Sequence, residues 1–129
     1  MWRILLVLLV LHGSIHAMGF AKAFGLAELP QLTQPISREM GLLWLAAAFL
    51  MIASAAMMVF QPRYWWIIGA LALVVSQVVI ASAWRDAWAG SLVNVVVLLA
   101  VVHGLLTGGP GAFPGSAEAN RQSDPVHLR

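Results

Sequence analysis

Hydrophobic positions in this chain do not alternate with polar ones; they run on. Four stretches, 4–24, 40–60, 64–84 and 87–106, are apolar almost without interruption, and the last three contain no Asp, Glu, Lys or Arg. A membrane-spanning helix needs about 20 such residues. In lipid, backbone polar groups are satisfied only within helices or closed barrels. Continuous runs rather than strict alternation select helices. The pattern therefore predicts an all-α, polytopic membrane protein, an antiparallel bundle of four transmembrane helices occupying residues 1–107.

The punctuation between runs supports this division. Residues 25–39, GLAELPQLTQPISRE, form the longest connection, and Pro30 and Pro35 keep it from being one helix. Ser37 is placed to cap the second span, and Glu39 suits its positive end. Pro62 and Arg63 break the second span from the third, and Arg85 and Asp86 sit in a very short third connection. Short loops make sequential helices antiparallel neighbours. Trp2, Trp44, Tyr64, Trp65, Trp66, Trp84 and Trp88 lie at or near span ends, where amphipathic rings anchor at the headgroup level. The last stretch, 108–129, is rich in Gly, Pro and polar residues and reads as a disordered tail.

Composition agrees and narrows the classes. Of 129 residues, 61% are hydrophobic and 9% charged, against about 25% charged in soluble domains. So short a chain cannot bury that much apolar surface in itself, so lipid is its first partner. A net charge of +2 without a basic patch gives no nucleic-acid footprint. Cysteine is absent, which excludes disulfides, thiolate metal sites and cysteine nucleophiles. No nucleophile triad, zinc-protease helix or phosphate loop is visible, so no catalytic, cofactor-binding or metal-binding residue is assigned.

With four spans, both termini share one side. Arg3, Arg63, Arg121 and Arg129 fall on that side, and Lys22, Arg38 and Arg85 on the other. The positive-inside rule then favours cytoplasmic termini. A competing reading takes Met1-Trp2-Arg3 as the n-region of a secretion signal, cleaved near Ile15-His16-Ala17 and leaving three spans. The apolar and small residues continue to Phe24, which favours a span.

Polar groups at membrane depth are costly and usually face a protein interior or a wet cavity. Here they are His12, Ser14, His16, Ser54, Ser76, Gln77, Ser82, Asn94 and His103. Counting about 1.5 Å of rise per residue puts His16, Gln77 and Asn94 roughly 18–21 Å from the cytoplasmic face. His12, Ser54 and His103 fall at roughly 8–12 Å on the same count. Two polar layers are expected, with His12, His16, Gln77, Asn94 and His103 as the candidate intramembrane sites. His12 and His16, four apart, share one helix face. Such a pair can join helices, relay protons, or approach one metal or haem iron. A metal site needs three or four ligands, and no carboxylate lies within a span, so joining is the favoured role. Gly13, Ala17, Ala21 and Gly25 recur every four residues beside the pair, a stripe that lets helices approach closely within the bundle or between copies.

The segments LHGSIHAMGFAKAFGLAELPQLTQPISR, GLLWL and RDAWAGSLVN resemble a group of uncharacterised bacterial four-helix membrane proteins. The resemblance implies a location in the bacterial inner membrane and no known activity. More loosely, the chain is similar to the DoxX-like family. Gly19 and Lys22 match a glycine and lysine ending that family's first helix, Glu39 an acidic residue opening the second, and Gly109-Pro110-Gly111 a glycine-rich exit from the fourth. The long proline-containing loop and the histidine pair depart from that pattern. The similarity implies an accessory role beside membrane redox complexes. The function expected from the sequence is that of a non-enzymatic scaffold or accessory subunit, with other membrane subunits or a second copy as partners. The alternative is a transport or redox module in which His12, His16 and His103 handle protons, quinone or metal.

Overall fold

A computed structural model describes residues 2–60 and 63–108. Pro62 and the tail from 109 onward, expected to be disordered, lie outside the described residues, as does the Gly109-Pro110-Gly111 motif. The chain forms α1 (Trp2–Ala23), α2 (Arg38–Phe60), α3 (Trp65–Ser82), a single turn α4 (Trp84–Ala87) and α5 (Gly90–Gly108). Among the described residues there is no strand. Helices α1, α2, α3 and α5 are each long and apolar enough to cross a membrane. They are the four expected spans, with ends shifted by a few residues. The largest shift is in the fourth, because residues 84–87 make their own helical turn before α5 starts at Gly90.

The surface explains why the runs are apolar all round. Only 22–33% of the residues in each spanning stretch are buried within the protein. Phe49 is 71% exposed, and Leu99 and Val74 are also bare. Such side chains are stable in hydrocarbon and would be a liability in water.

Inside, two apolar clusters stack along the bundle. Leu9, Met51, Ala55, Trp65, Ala72, Val97 and Val101 form one, and Trp44, Ala47, Val79 and Ala83 the other. Helix α1 packs along α2, α2 along α3 and α3 along α5, whereas α1 and α5 meet only sparingly.

Close packing of α1 on α2 depends on glycines of both helices, since a β-carbon at Gly41 of α2 would overlap Ala23 of α1. A β-carbon at Gly13 would stand 3.1 Å from the Ala48 carbonyl oxygen and from Met51 Cβ, and one at Gly19 would overlap the indole of Trp44. The expected stripe is therefore only partly in the interface. Gly13 is buried, Ala21 is half-buried, and Ala17 is exposed. A four-residue spacing drifts by about 40° per step around a helix of 3.6 residues per turn. The buried face of α1 instead runs Leu9, His12, Gly13, His16, Gly19, the mixed three-and-four spacing that holds one direction.

Gly25 has a different role from the one its spacing suggested. It lies beyond α1 with φ +67°. Its N–H donates to the Lys22 carbonyl at 3.1 Å, and the Leu26 N–H donates to the Ala21 carbonyl at 2.8 Å. These two bonds are a Schellman stop, which favours glycine at the left-handed position. At the start of α2, Ser37 Oγ accepts from the Met40 N–H at 3.2 Å, the cap read from the sequence.

The first loop is fastened to the α3–α5 connection. Thr33 Oγ1 donates to Asp86 Oδ1 at 2.7 Å, and the Gln34 N–H donates to Asp86 Oδ2 at 2.8 Å. The Lys22 ammonium donates to the Leu32 carbonyl. The Gln34 amide, then Thr33, hold the Asp86 carboxyl below the usual carboxylate range. The aromatic ends divide in two. Trp2, Tyr64, Trp84 and Trp88 are exposed as anchors should be. Trp44 and Trp65 are instead buried, as parts of the two clusters.

Candidate functional site: a buried histidine node

Ser76 of α3 is the hub of the polar groups. It lies between Ala72 of one apolar cluster and Val79 of the other and has no exposure. Its Oγ is 2.8 Å from His16 Nε2 and 3.3 Å from His12 Nε2. The same hydroxyl donates to Asn94 Oδ1 of α5 at 3.0 Å. Asn94 Nδ2 donates to Gln77 Oε1 at 3.0 Å, and Gln77 Nε2 donates to Ser91 Oγ at 3.1 Å. One node thus ties α1, α3 and α5 together.

Counting protons constrains the Nε2 atoms. A serine hydroxyl has one proton and two lone pairs. With that proton given to Asn94, both histidines can bond Ser76 only as donors. Each ring then carries a proton on Nε2. The rings meet edge to face with centroids 4.7 Å apart. His16 is 1% exposed, and its Nδ1 has no partner among the described residues. The Trp44 indole lies against it, centroid to centroid 5.2 Å, and the buried Trp44 Nε1–H likewise has no partner among the described residues.

The site residues read from the sequence separate into two groups. His12, His16, Gln77 and Asn94 come together in the node. His12 thus joins the deeper expected layer rather than a lower one. Ser54 pairs elsewhere, its Oγ 3.5 Å from the Trp65 carbonyl. His103 is exposed on α5 and takes no part. The reason is helical phase: nine residues separate it from Asn94, about 180° around the helix. Ser14 is also outside, donating to the Val10 carbonyl of its own helix at 2.8 Å.

Ser76, Ser91 and Trp44 complete the site, and the sequence pattern does not single them out for it. Ser76 is visible there as a polar residue at depth. Trp44 gives no signal, since its place near a span end matches an anchor. Among the described residues no group of three or more His, Asp or Glu side chains is placed to hold a metal ion.

The node can lock three helices through bonds that are stronger for lack of competing water. No protein-family model, no curated protein and no solved structure matches this chain.

Proposed function

We propose that this chain is a non-enzymatic integral membrane protein of the bacterial inner membrane, acting as a scaffold or accessory subunit of a membrane complex. Both termini are cytoplasmic on this reading, following the arginines near the span ends. The observation that carries the proposal is the convergence of His12, His16 and Asn94 on Ser76. This arrangement uses the polar groups at depth to hold α1, α3 and α5 in fixed register. The lipid-facing sides of the helices, with Phe49 and Leu99 bare, are then rigid surfaces for other subunits or a second copy. The DoxX-like resemblance points toward redox complexes as the setting.

A second reading rests on the unpartnered Nδ1 of His16. Here the His12–His16 pair serves a transport or redox module that handles protons, quinone or metal, with His103 outside the working set.

Affinity purification from native membranes, with mass spectrometry, metal analysis and an absorption spectrum on one sample, tests both. A stoichiometric partner in colourless, metal-free protein supports the scaffold. A chromophore or metal that disappears in His16→Ala supports the second reading and defeats the first.

A further inference from the structure

Helices α1 and α5 meet only sparingly, and a hollow of about 580 Å³ lies along α1 on that side. Its walls include Arg3, Ile4, Val7, Leu11 and Ile15 of α1 and Val93 of α5. Ile4, Val7, Leu11 and Ile15 are each more than half exposed, so the hollow opens to the membrane. Their spacing of three and four keeps them on one side of the helix. At about 1.5 Å of rise per residue, the run from Arg3 to Ile15 is about 18 Å long. One leaflet supplies about 15 Å of a hydrocarbon core about 30 Å thick. The hollow therefore reaches from the headgroup level to about mid-bilayer. Arg3 stands at its outer end and is the only Lys, Arg, Asp or Glu among its described walls. The Arg3 guanidinium lies 5.6 Å from the ring centroid of Trp2, an exposed ring of the kind that marks the interface. The first turn of α1 holds no acidic side chain to occupy that guanidinium.

We infer that this hollow binds an anionic phospholipid from the leaflet on the Arg3 side. One acyl chain lies along Val7 and Leu11 toward Ile15 and Val93, and the phosphate meets the Arg3 guanidinium. The length of the hollow and its apolar walls select the chain. The charge selects the head. A guanidinium fork matches phosphate oxygens two at a time, and basic positions beside pockets between spanning helices hold anionic head groups in this way. A cationic amphiphile would be repelled, and a sterol would leave the guanidinium unpaired. A zwitterionic phospholipid brings its own ammonium, which competes for the phosphate. A second copy packed on this face about an axis along the bundle would set Arg3 against Arg3, like charge against like. The inference goes beyond the scaffold role and stands whether or not a partner subunit is found.

Full-length protein, freed of lipid in detergent, is titrated with phosphatidylglycerol and separately with phosphatidylcholine carrying the same acyl chains. Native mass spectrometry counts the bound lipid. The expected result is one saturable phosphatidylglycerol, held about fivefold more tightly than phosphatidylcholine, the worth of one arginine beside anionic head groups. Arg3→Gln should erase that preference. Arg85→Gln, at an exposed position in the connection at the other end of the bundle, should keep it. Val7→Trp fills the hollow without touching the charge and should weaken both lipids. Phosphatidylglycerol with a diazirine at the end of an acyl chain should label α1 near Ile15. Equal affinity of the two lipids for the unmutated protein overturns the inference, as does the absence of saturable binding. A preference that survives Arg3→Gln, or that falls as far in Arg85→Gln, overturns it too, as do unchanged binding in Val7→Trp and labelling confined to other helices. A dimer that retains no lipid gives this face to a second copy and likewise overturns the inference.

Discussion

Ser76 Oγ stands 2.8 Å from His16 Nε2, joining two residues 60 positions apart in the chain. That hydroxyl also faces His12 and Asn94, so its removal strands three groups together. Ser76→Ala is expected to destabilise the bundle by about 1–3 kcal/mol, the cost of leaving buried donors or acceptors unmet. Ser14→Ala, which removes an exposed bond within one helix, should stay within about 0.5 kcal/mol. Reversible unfolding in bicelles measures both. Equal losses at the two serines would deny Ser76 its central place.

Gly19 and Trp44 supply a packing test. A methyl at Gly19 overlaps the indole, so Gly19→Ala should cost about 1–3 kcal/mol, as overpacking does. Ala17→Leu adds a larger side chain at a position exposed to lipid and should be nearly neutral. Melting temperatures in one detergent compare them. A harmful Ala17→Leu beside a harmless Gly19→Ala would place the α1–α2 interface on the wrong face.

Asp86 gives a pH dependence with a definite sign. Its pKa is lowered in the folded protein, chiefly by the Gln34 N–H and then by Thr33. A depressed carboxyl pKa contributes stability that is full above the unfolded value of about 3.9 and is lost as pH falls through the folded value. The first loop should therefore stay fastened through neutral and mildly acidic pH and loosen only in stronger acid. Hydrogen exchange at the Gln34 amide, with rates corrected for intrinsic pH dependence, reports this directly. Asp86→Asn should remove the acid step, and an unchanged step would assign it to another group.

His103 and His16 should behave as opposites. His16→Ala strands Ser76 bonding capacity at full burial, while His103→Ala changes an exposed position. The first is expected to lower stability by about 1–3 kcal/mol and the second by less than about 0.5 kcal/mol. The same unfolding assay decides, and similar losses would show that both histidines serve the fold.

The four spans are legible in the sequence because about 20 apolar residues in a row have one stable solution in lipid. Depth is legible in part. Counting rise per residue brings His16, Gln77 and Asn94 to one level, and the structure links His16 to Asn94 through Ser76 and Asn94 to Gln77, but His12, counted into the lower layer, bonds the same Ser76. Rotation about each helix axis is harder to read. A helix apolar on every side has no polar face to aim it, so His103 looks as available as Asn94 although it points the other way. For the same reason the spacing of four from Gly13 to Gly25 looks like one interface. In the fold its members serve packing at Gly13, lipid exposure at Ala17 and a helix stop at Gly25. Trp44 is hidden by its position near a span end, and only the gap left by Gly19 shows why it turns inward.

The central claim is that the intramembrane histidines join helices through Ser76, and a double-mutant cycle measures that directly. His16→Ala, Ser76→Ala and the double variant are compared with the parent by reversible unfolding in bicelles. A joining role predicts a favourable coupling of about 0.6–2 kcal/mol, the range of interhelical hydrogen bonds in membranes. Simple additivity of the two losses, with no coupling beyond error, would contradict it.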